Sequence, residues 1–358
     1  MAQYGGPYPD PDGQVIPPDR PPGAAVRSEG AADGSWGREG RLRRAARRWR
    51  TGAFRRGWIL AVLALLLAGV FAFHRQIPDR FGNFGSLTET FLPWFGIGVP
   101  LLLIGALWRR SVVALAALVV PVVLWSMLFG TLVTSKSSAG GYDFTAVQHN
   151  VSASNTDPFG TAKSLAAADP DVISMEELTP AAIPVYESVL DGTYRYHAIE
   201  GTVGLWSKYP LTGTRTVDIR IGWVRALRTV VEDPHGAVAV YVAHMPSVRL
   251  KFDGGFTASQ RDVSANALGA AIAQEPQRRV LLLGDMNGTM NDRALAPITS
   301  QMRSAQGAAG DGFGFSWPAA FPMARIDQIM SRGLTPTGAW TLPRTGSDHR
   351  PIGAHFRL

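Results

Sequence analysis

The N-terminal third of the chain contains three long apolar stretches without a charged side chain. They run over Trp58–Phe73, Phe91–Trp108 and Val112–Val133. A helix needs about 20 residues to cross the hydrocarbon core of a membrane, a length that the third stretch reaches and the other two approach. Apolar residues cover every face of these stretches, whereas a surface helix of a soluble protein keeps one polar face. The pattern therefore predicts three transmembrane helices within residues 57–133.

After residue 142 the pattern changes to short apolar runs separated by turn residues. Helical spacing is found at Thr161–Ala168 and Ser259–Gln274. The runs that predict strands are Phe144–Asn150, Val172–Glu177, Thr202–Ser207, Ala226–Val231, Ala237–His244, Arg279–Leu283, Arg325–Met330 and Ile352–Phe356. Strands dominate and helices lie between them. This favours an α+β domain over residues 142–358, with a two-layered sheet core covered by helices.

The segments that flank the helices have their own composition. Residues 1–37 are rich in Pro, Gly and Asp without an apolar period, which is typical of disorder, and nine Arg follow within residues 38–56. Residues 134–141 read as a short flexible linker. The Arg-rich segment and Arg109–Arg110 flank the helices on one side. The positive-inside rule therefore predicts a cytoplasmic tail over 1–56 and a multi-pass membrane protein whose C-terminal domain lies outside the cytoplasm.

The net charge of +7 is confined to the membrane-flanking part of the chain. Residues 1–133 contain 15 basic and 8 acidic side chains, whereas residues 134–358 contain 20 of each. A basic chain suggests nucleic-acid binding when its charge is spread over the folded domain. Because the C-terminal domain is neutral here, a nucleic-acid partner is less expected than the lipid bilayer itself. No protein partner is evident.

Acidic, amide and histidine side chains recur directly after the predicted strands, where binding sites are commonly built. They are Asn150 (QHN), Glu177 (SMEEL), His244 (VAHMP), Asp285 and Asn287 (GDMN), Asp327 (RIDQI), and Asp348 and His349 (SDHRP). The chain has no cysteine, which excludes thiolate metal sites and cysteine nucleophiles. Oxygen ligands without sulfur favour Mg²⁺ or Mn²⁺ over zinc.

Each of these motifs alone has an ordinary structural explanation. A glutamate at a strand end is usually a solvated charge or a helix cap, an Asp-Gly-containing turn is usually only a turn, and a single histidine is usually packed in the core. Six such motifs in succession, each after a predicted strand, make independent ordinary explanations improbable. Together they indicate a metal site that polarises a phosphoryl group and activates water.

The order of these motifs resembles that of the endonuclease/exonuclease/phosphatase superfamily, which includes DNase I-like nucleases, sphingomyelinases and inositol-polyphosphate phosphatases. GDMN, RIDQI and SDHRP match the family patterns G-D-x-N, R-I-D-x-I and S-D-H-x-P. SMEEL stands where the family has a Q-E dipeptide, which points to Glu177 over Glu176. The resemblance implies a four-layered α/β/β/α sandwich over residues 142–358, preceded by the three transmembrane helices.

The resemblance also implies a role for each matching residue. Glu177 would bind the metal with Asn150 and Asp348. His349 would act as acid/base or phosphate contact, oriented by Asp327. Asp285 would position or activate the attacking water, and Asn287 and His244 would hold phosphate oxygens. Whether Asp285 or His349 is the base, and whether one metal or two are used, stays open.

The layout of tail, three helices and outer catalytic domain is similar to that of the VanJ-type teicoplanin-resistance proteins. This similarity implies a phosphatase that acts on a lipid-linked phosphate such as undecaprenyl pyrophosphate at the outer face of the membrane. Three alternatives stay open: an extracellular nuclease, a sphingomyelinase-like phospholipase, and a non-enzymatic binding module with a degenerate site.

Overall fold

The computed structural model describes residues 56–78, 84–137, 140–247, 249–251, 255–257 and 259–358. The predicted disordered and Arg-rich tail lies outside the described residues except for Arg56. The α-helices are α1 (Trp58–Phe73), α2 (Phe84–Phe91), α3 (Gly98–Trp108), α4 (Val112–Phe129), α5 (Pro158–Ala166), α6 (Ile183–Leu190), α7 (Ser259–Ala273), α8 (Ala296–Thr299) and α9 (Ala305–Ala309). Short 3-10 turns cover His74–Gln76, Leu92–Ile97, Gly130–Leu132 and Arg293–Leu295.

The strands are β1 (Phe144–Asn150), β2 (Val172–Glu176), β3 (Tyr196–Glu200), β4 (Val203–Ser207), β5 (Leu211–Thr216), β6 (Ala226–Val231), β7 (Val238–Ala243), β8 (Arg249–Lys251), β9 (Gly255–Thr257), β10 (Val280–Asp285), β11 (Arg303–Ser304), β12 (Asp327–Arg332), β13 (Thr335–Thr341) and β14 (Ile352–Arg357). They form two six-stranded sheets with the orders β13-β14-β1-β2-β4-β3 and β11-β12-β10-β7-β6-β5, besides the β8–β9 pair. Both large sheets are mixed, because β1 and β2 are parallel, as are β7 and β10, while their other neighbours are antiparallel.

The inner faces of the two sheets share one hydrophobic core, to which β1 contributes Phe144 and β10 contributes Leu281 and Leu283. The outer face of the first sheet packs on α5 and α6, and the outer face of the second packs on α7 and α8. The layers therefore run helix, sheet, sheet, helix. This confirms the predicted DNase I-like sandwich.

Three helical segments are long and apolar enough to cross a membrane: Trp58–Gln76, Phe84–Trp108 and Val112–Leu132. Small side chains lie where these helices meet, at Ala64, Ala106 and Ala114, which lets the backbones approach closely. Large apolar side chains such as those on the outer face of α1 and α3 are exposed. This arrangement suits a helical bundle in lipid, and the prediction of three long apolar helices is confirmed.

The second of these segments differs from the sequence-based expectation. The apolar pattern started this segment at Phe91, but helix α2 begins at Phe84 and continues the span. At 1.5 Å per residue its 25 residues measure about 37 Å, longer than the ~30 Å hydrocarbon core. The extra turns carry polar residues that pack on the catalytic domain. These contacts explain why the stretch before Phe91 is helical although it is polar.

Two residues of α2 connect it to the catalytic domain. Ser86 donates to Asp292 (3.2 Å), and the same carboxylate lies 2.6 Å from Arg261. Buried Glu89 accepts from the backbone N–H of Arg293 (3.3 Å), and its carboxylate lies 3.6 Å from the Arg293 guanidinium. The second long apolar segment is therefore docked on the domain that follows it.

Arg228 and Glu275 form a buried ion pair on the outer side of the second sheet. The guanidinium donates to both carboxylate oxygens (2.9 and 2.8 Å), and Tyr241 donates to one of them (2.8 Å). Burial opposes ionisation, but these donors, with the backbone N–H of Gln277, outweigh it and lower the pKa of Glu275 to about 2.

We expect Glu275→Ala to destabilise the folded domain by about 3–5 kcal/mol, because it leaves the buried Arg228 guanidinium without its partner. Urea unfolding of the purified protein in detergent measures this loss. Since the pKa of Glu275 is depressed on folding, its contribution is present above the ordinary glutamate pKa and disappears as the pH falls towards about 2. Glu232→Ala, at an exposed glutamate, is the matched control, and equal unfolding midpoints for the two variants would contradict the prediction.

Candidate active site

The predicted site residues lie at strand ends that meet at one edge of the two sheets. Asn150 and Glu176 pair at the carboxyl ends of the parallel strands β1 and β2. Asp285 ends β10 and pairs with Asp327, the first residue of the antiparallel strand β12. The Asn150 side-chain amide donates to Asp285 (3.1 Å) and so connects the two sheets. The sandwich thus brings residues that are far apart in sequence to one place.

His349 and Asp327 form a buried, hydrogen-bonded pair. Nδ1 of His349 lies 2.8 Å from Oδ2 of Asp327, which also accepts from Ser316 Oγ (2.6 Å). Burial opposes charge on Asp327, but the positive charge and hydrogen bond of His349, with the other donors, lower its pKa. Burial likewise opposes charge on His349, yet the carboxylates of Asp327 and Asp285 raise its pKa. The pair fixes the orientation of the imidazole and leaves Nε2 towards Asp285, 3.9 Å away.

Asp285 is the centre of the hydrogen-bond network. Its Oδ1 accepts from the backbone N–H of Asn287 (2.8 Å), and its Oδ2 accepts from the side-chain amides of Asn150 and Asn287 (both 3.1 Å). Burial raises the pKa of Asp285 against the opposing effect of nearby His349. The strand ends at Asp285, and Asn287 has a positive φ of 46°. A turn, not strand alternation, brings the D-x-N side chains together.

His244 follows β7 and lies between two carboxylates. Its Nε2 is 3.6 Å from Asp285 Oδ2 and 3.7 Å from Glu177 Oε1. Burial and the adjacent charges of Arg225 and His349 lower the pKa of His244 well below the ordinary value. The Arg225 guanidinium contacts the imidazole ring directly and stacks on Trp223. Neither residue belongs to one of the sequence motifs.

Glu177 enters the site through a left-handed backbone conformation. The strand ends at Glu176, one residue earlier than expected, and Glu177 has a φ of 60°. Its carboxylate accepts from the side chain of Asn150 (3.2 Å) and from the backbone N–H of Ala153 (3.0 Å). Glu177 and exposed Asp348 line the same cavity. Both candidate carboxylate ligands therefore face one space.

That cavity has a volume of about 340 Å³. Its lining residues are Thr90, Phe91, Glu177, His244, Ser247, Asp285, Asn287, Trp317, Ile326, Asp348 and His349. Candidate residues from four of the six motifs line this cavity. Asp327 lies behind His349, although Ile326 of the same motif is in the lining, and Asn150 lies beneath Glu177 and Asp285. Thr90 and Phe91 come from α2, the docked end of the second long apolar segment. No sequence motif pointed to them.

Glu176 lies behind the cavity and not in its lining. It is fully buried, and Gln148 Nε2 donates both to it (2.7 Å) and to Asp327 (3.0 Å). Burial raises the pKa of Glu176 well above its ordinary value, in opposition to the Gln148 hydrogen bond. Gln148 and Ser316 both hold the Asp327 carboxylate. A signal for Gln148 exists in the sequence, since it lies two residues before Asn150 on the same strand face.

The donor chemistry of the cavity fits a divalent cation. The carboxylates of Glu177, Asp285 and Asp348 face one space, and an oxygen donor set suits Mg²⁺ or Mn²⁺. Asn150 donates its NH₂ group to the first two of these, while its Oδ1 accepts from the backbone N–H of Ser152 (3.0 Å). As a metal ligand Asn150 would need the opposite amide orientation. Glu177 and Asp348 therefore fit the cation most directly.

A second cluster of side chains of types that bind metals is buried behind the cavity lining. Ligand atoms of Asp285, Asp327 and His349 lie within 4.8 Å of one another. A cation among them would compete with the 2.8 Å hydrogen bond from His349 to Asp327. We therefore interpret these three residues as a proton-handling chain beside the cavity.

Solved structures with the same fold cover about three fifths of the chain. TDP2 of D. rerio in complex with a single-stranded DNA product is 18% identical, with a TM-score of 0.52, and covers 60% of this chain and 99% of its own. The endonuclease/exonuclease/phosphatase from Bacteroides vulgatus is 16% identical, with a TM-score of 0.51, and covers 61% and 100%. A mannosyl-6-phosphatase from Bacteroides thetaiotaomicron is 13% identical, with a TM-score of 0.50, and covers 60% and 100%. At these identities the likeness shows the fold alone.

No curated protein matches the chain at a significant level. A family model is more informative, because residues 147–349 match the one described as the Endonuclease/Exonuclease/phosphatase family. The matched region starts within β1 and ends at His349, so it contains all eight candidate site residues and more than half of the chain. The chain belongs to the endonuclease/exonuclease/phosphatase family.

Proposed function

We propose that this chain is a membrane-anchored, divalent-metal-dependent phosphoesterase that hydrolyses a phosphoester or pyrophosphate bond in a lipid-linked phosphate. The observation that carries the proposal is the wall of the catalytic cavity, where Thr90 and Phe91 of α2 line the same space as Asp285 and His349. A phosphate held at the surface of a bilayer reaches such a cavity while its apolar chain stays beside the helices. Undecaprenyl pyrophosphate has this chemistry, and a link to teicoplanin resistance follows from the resemblance to VanJ-type proteins.

The distribution of charge supports an outward-facing domain. The catalytic domain docks at the end of the helical bundle that contains α2, and Arg56, Arg109 and Arg110 lie at the opposite helix ends. Positively charged flanks stay in the cytoplasm. The proposal therefore places the catalytic cavity at the outer face of the membrane.

Each of the candidate site residues has a role in the proposed hydrolysis. A divalent cation held by Glu177 and Asp348 would supply charge stabilisation at a phosphoryl oxygen. Asp285 orients the attacking water and accepts its proton, and Asn150 and Asn287 hold Asp285 in place. His349, oriented by Asp327, gives a proton to the departing oxygen through Nε2. His244 contacts the non-bridging oxygens and stabilises their negative charge. The Asn287 side-chain amide donates to Asp285 and to the backbone carbonyl of Met245 (3.0 Å), and it joins His244 by giving up the second of these hydrogen bonds.

A comparison of three substrates separates this proposal from its alternatives. Purified full-length protein with Mg²⁺ is given undecaprenyl pyrophosphate in vesicles, phospholipid vesicles, and plasmid DNA. Release of inorganic phosphate from the first substrate is the expected result. Release of a phosphorylated headgroup from the second indicates a phospholipase, and salt-sensitive nicking of the third indicates a nuclease. If headgroup release or plasmid nicking is the dominant activity, the lipid-phosphate proposal is wrong.

Phe91 gives a sharper test of the membrane-side wall. We expect Phe91→Ala to raise KM about tenfold for a lipid-linked phosphate, because a lining side chain that contacts the apolar part of the substrate is lost. The kinetics of a soluble phosphodiester should stay nearly unchanged. Phe159→Ala, at an exposed phenylalanine on α5, is the matched control. Equal changes for the lipid and the soluble substrate would contradict a lipid-facing role for this wall.

A further inference from the structure

A second cavity, of about 210 Å³, lies between the membrane helices and the catalytic domain. The membrane side of this interfacial cavity is mainly apolar and includes Pro93, Leu128, Phe129 and Leu132. The domain side adds Thr289, Asn291, Ser304, Phe313, Phe315 and Arg325. An apolar membrane side that faces a mixed domain side with one guanidinium matches an amphipathic lipid with an anionic headgroup.

Arg325 is the charged residue in this lining. Its guanidinium is buried and donates to Ser304 Oγ (3.2 Å). Burial lowers the pKa of Arg325 to about 10, and among the residues described no carboxylate offsets that effect. A buried cation without an anionic partner is costly for a folded protein. An anion bound in the cavity would remove that cost.

A second cation lies beside the same cavity. Lys136, in the linker after the third membrane segment, donates to the backbone carbonyl of Gly307 (2.8 Å), and Gly307 lines the cavity. Burial lowers the pKa of Lys136, and the positive charge of Arg325 lowers it further. The described lining contains no acidic side chain, so its electrostatic field favours an anion.

We propose that the interfacial cavity binds the phosphate headgroup of a membrane lipid, at a site separate from the catalytic cavity. Arginine is the side chain best suited to phosphate, because its planar guanidinium donates several parallel hydrogen bonds. A volume of about 210 Å³ accommodates a headgroup but not its chains, so these lie along the apolar side near Leu128 and Leu132. The proposal needs the membrane placement of the helices and does not need the hydrolytic activity.

The bound lipid would hold the membrane segment against the domain. Thr90 lines both cavities, and the adjacent residues Arg325 and Ile326 line the interfacial and the catalytic cavity respectively. The headgroup site is thus separated from the catalytic cavity by Thr90 of α2 and by the backbone of Arg325 and Ile326. Such a lipid stabilises the contact between the membrane segment and the domain, and it is not the substrate.

The test is a binding measurement on delipidated full-length protein in detergent, with a chelator present so that no turnover takes place. The probes are phosphatidic acid, diacylglycerol with the same chains, and inorganic phosphate. We expect phosphatidic acid to bind at least about tenfold more tightly than either of the others. Arg325→Gln and Leu132→Trp should each weaken its binding by about tenfold, the first by removing the charge and the second by filling the cavity.

Matched variants make the outcome decisive. Arg303→Gln, at an exposed arginine next to Ser304, should bind phosphatidic acid like the wild type, and Arg325→Lys should lie in between. Unchanged binding by a folded Arg325→Gln protein overturns the proposal, as does equal binding of diacylglycerol or of inorganic phosphate. Loss of binding on Glu177→Gln with Arg325→Gln unaffected places the lipid in the catalytic cavity and also overturns it. If Arg325→Gln does not fold, Leu132→Trp and Arg325→Lys decide by the same criteria.

Discussion

His349→Ala is expected to lower kcat by about 10³-fold, since proton transfer by a positioned side chain contributes about 10²–10⁴-fold. Nε2 of His349 faces Asp285 at 3.9 Å, and its Nδ1 is tied to buried Asp327 at 2.8 Å. KM should change little, because the imidazole acts on the departing oxygen and not on the bulk of the substrate. Steady-state phosphate release under saturating Mg²⁺ measures the effect.

Asp327→Asn tests whether the histidine acts as part of a pair. The amide cannot carry the negative charge that raises the pKa of His349. We expect a loss close to that of His349→Ala, and no further loss in the double variant, because residues that act as a unit are not additive. His197→Ala, at a partly exposed histidine on β3, is the control and should keep wild-type activity. Additive losses in the double variant would show that the two residues act independently.

Removal of divalent cations is expected to stop the reaction. Chelation should abolish hydrolysis, and Mg²⁺ or Mn²⁺ should restore it, because the carboxylates facing the cavity form an oxygen donor set suited to these ions. Activity that survives exhaustive chelation would contradict a metal-dependent mechanism.

The adjacent pair Glu176 and Glu177 offers a matched control for the metal site. Glu177→Gln should lower activity at least about 10²-fold and raise the Mg²⁺ concentration needed for half-maximal activity. Glu176→Gln should have a small effect, because Glu176 is fully buried, lies outside the cavity lining and keeps its contact with Gln148 when replaced by an isosteric amide. A larger loss of activity for Glu176→Gln than for Glu177→Gln would contradict the assignment of Glu177 as the metal ligand.

The fold could be predicted from the sequence where strands are buried and where a helix has a clear apolar face. β1, β6 and α7 agree with their apolar patterns. α5 was expected over Thr161–Ala168 but begins at Pro158, because the Asp157 side chain caps it and Pro158 occupies its first turn. The strands β3 and β5 were missed. Both are edge strands with largely exposed residues. Because neither face of these strands is buried, their sequences show no alternation of apolar and polar residues.

The residue types of the site could also be predicted, but not how they are held. Asn287 and Glu177 reach the cavity through positive φ angles that no apolar pattern encodes. The hydrogen bonds from Gln148 and Ser316 to Asp327 depend on residues brought together only by the sandwich. Thr90 and Phe91 were missed because helix α2 gains its stability from contacts with the domain and not from its own pattern.

We propose a cation-dependent site at the membrane boundary that hydrolyses a lipid-linked phosphate. The most direct measurement is phosphate release from undecaprenyl pyrophosphate in vesicles by folded full-length protein, with Mg²⁺ or with chelator, beside the His349→Ala variant. The proposal predicts release by the wild type with Mg²⁺ alone, and none with chelator or from the variant. No release by metal-loaded wild type, or equal release by His349→Ala, would contradict it.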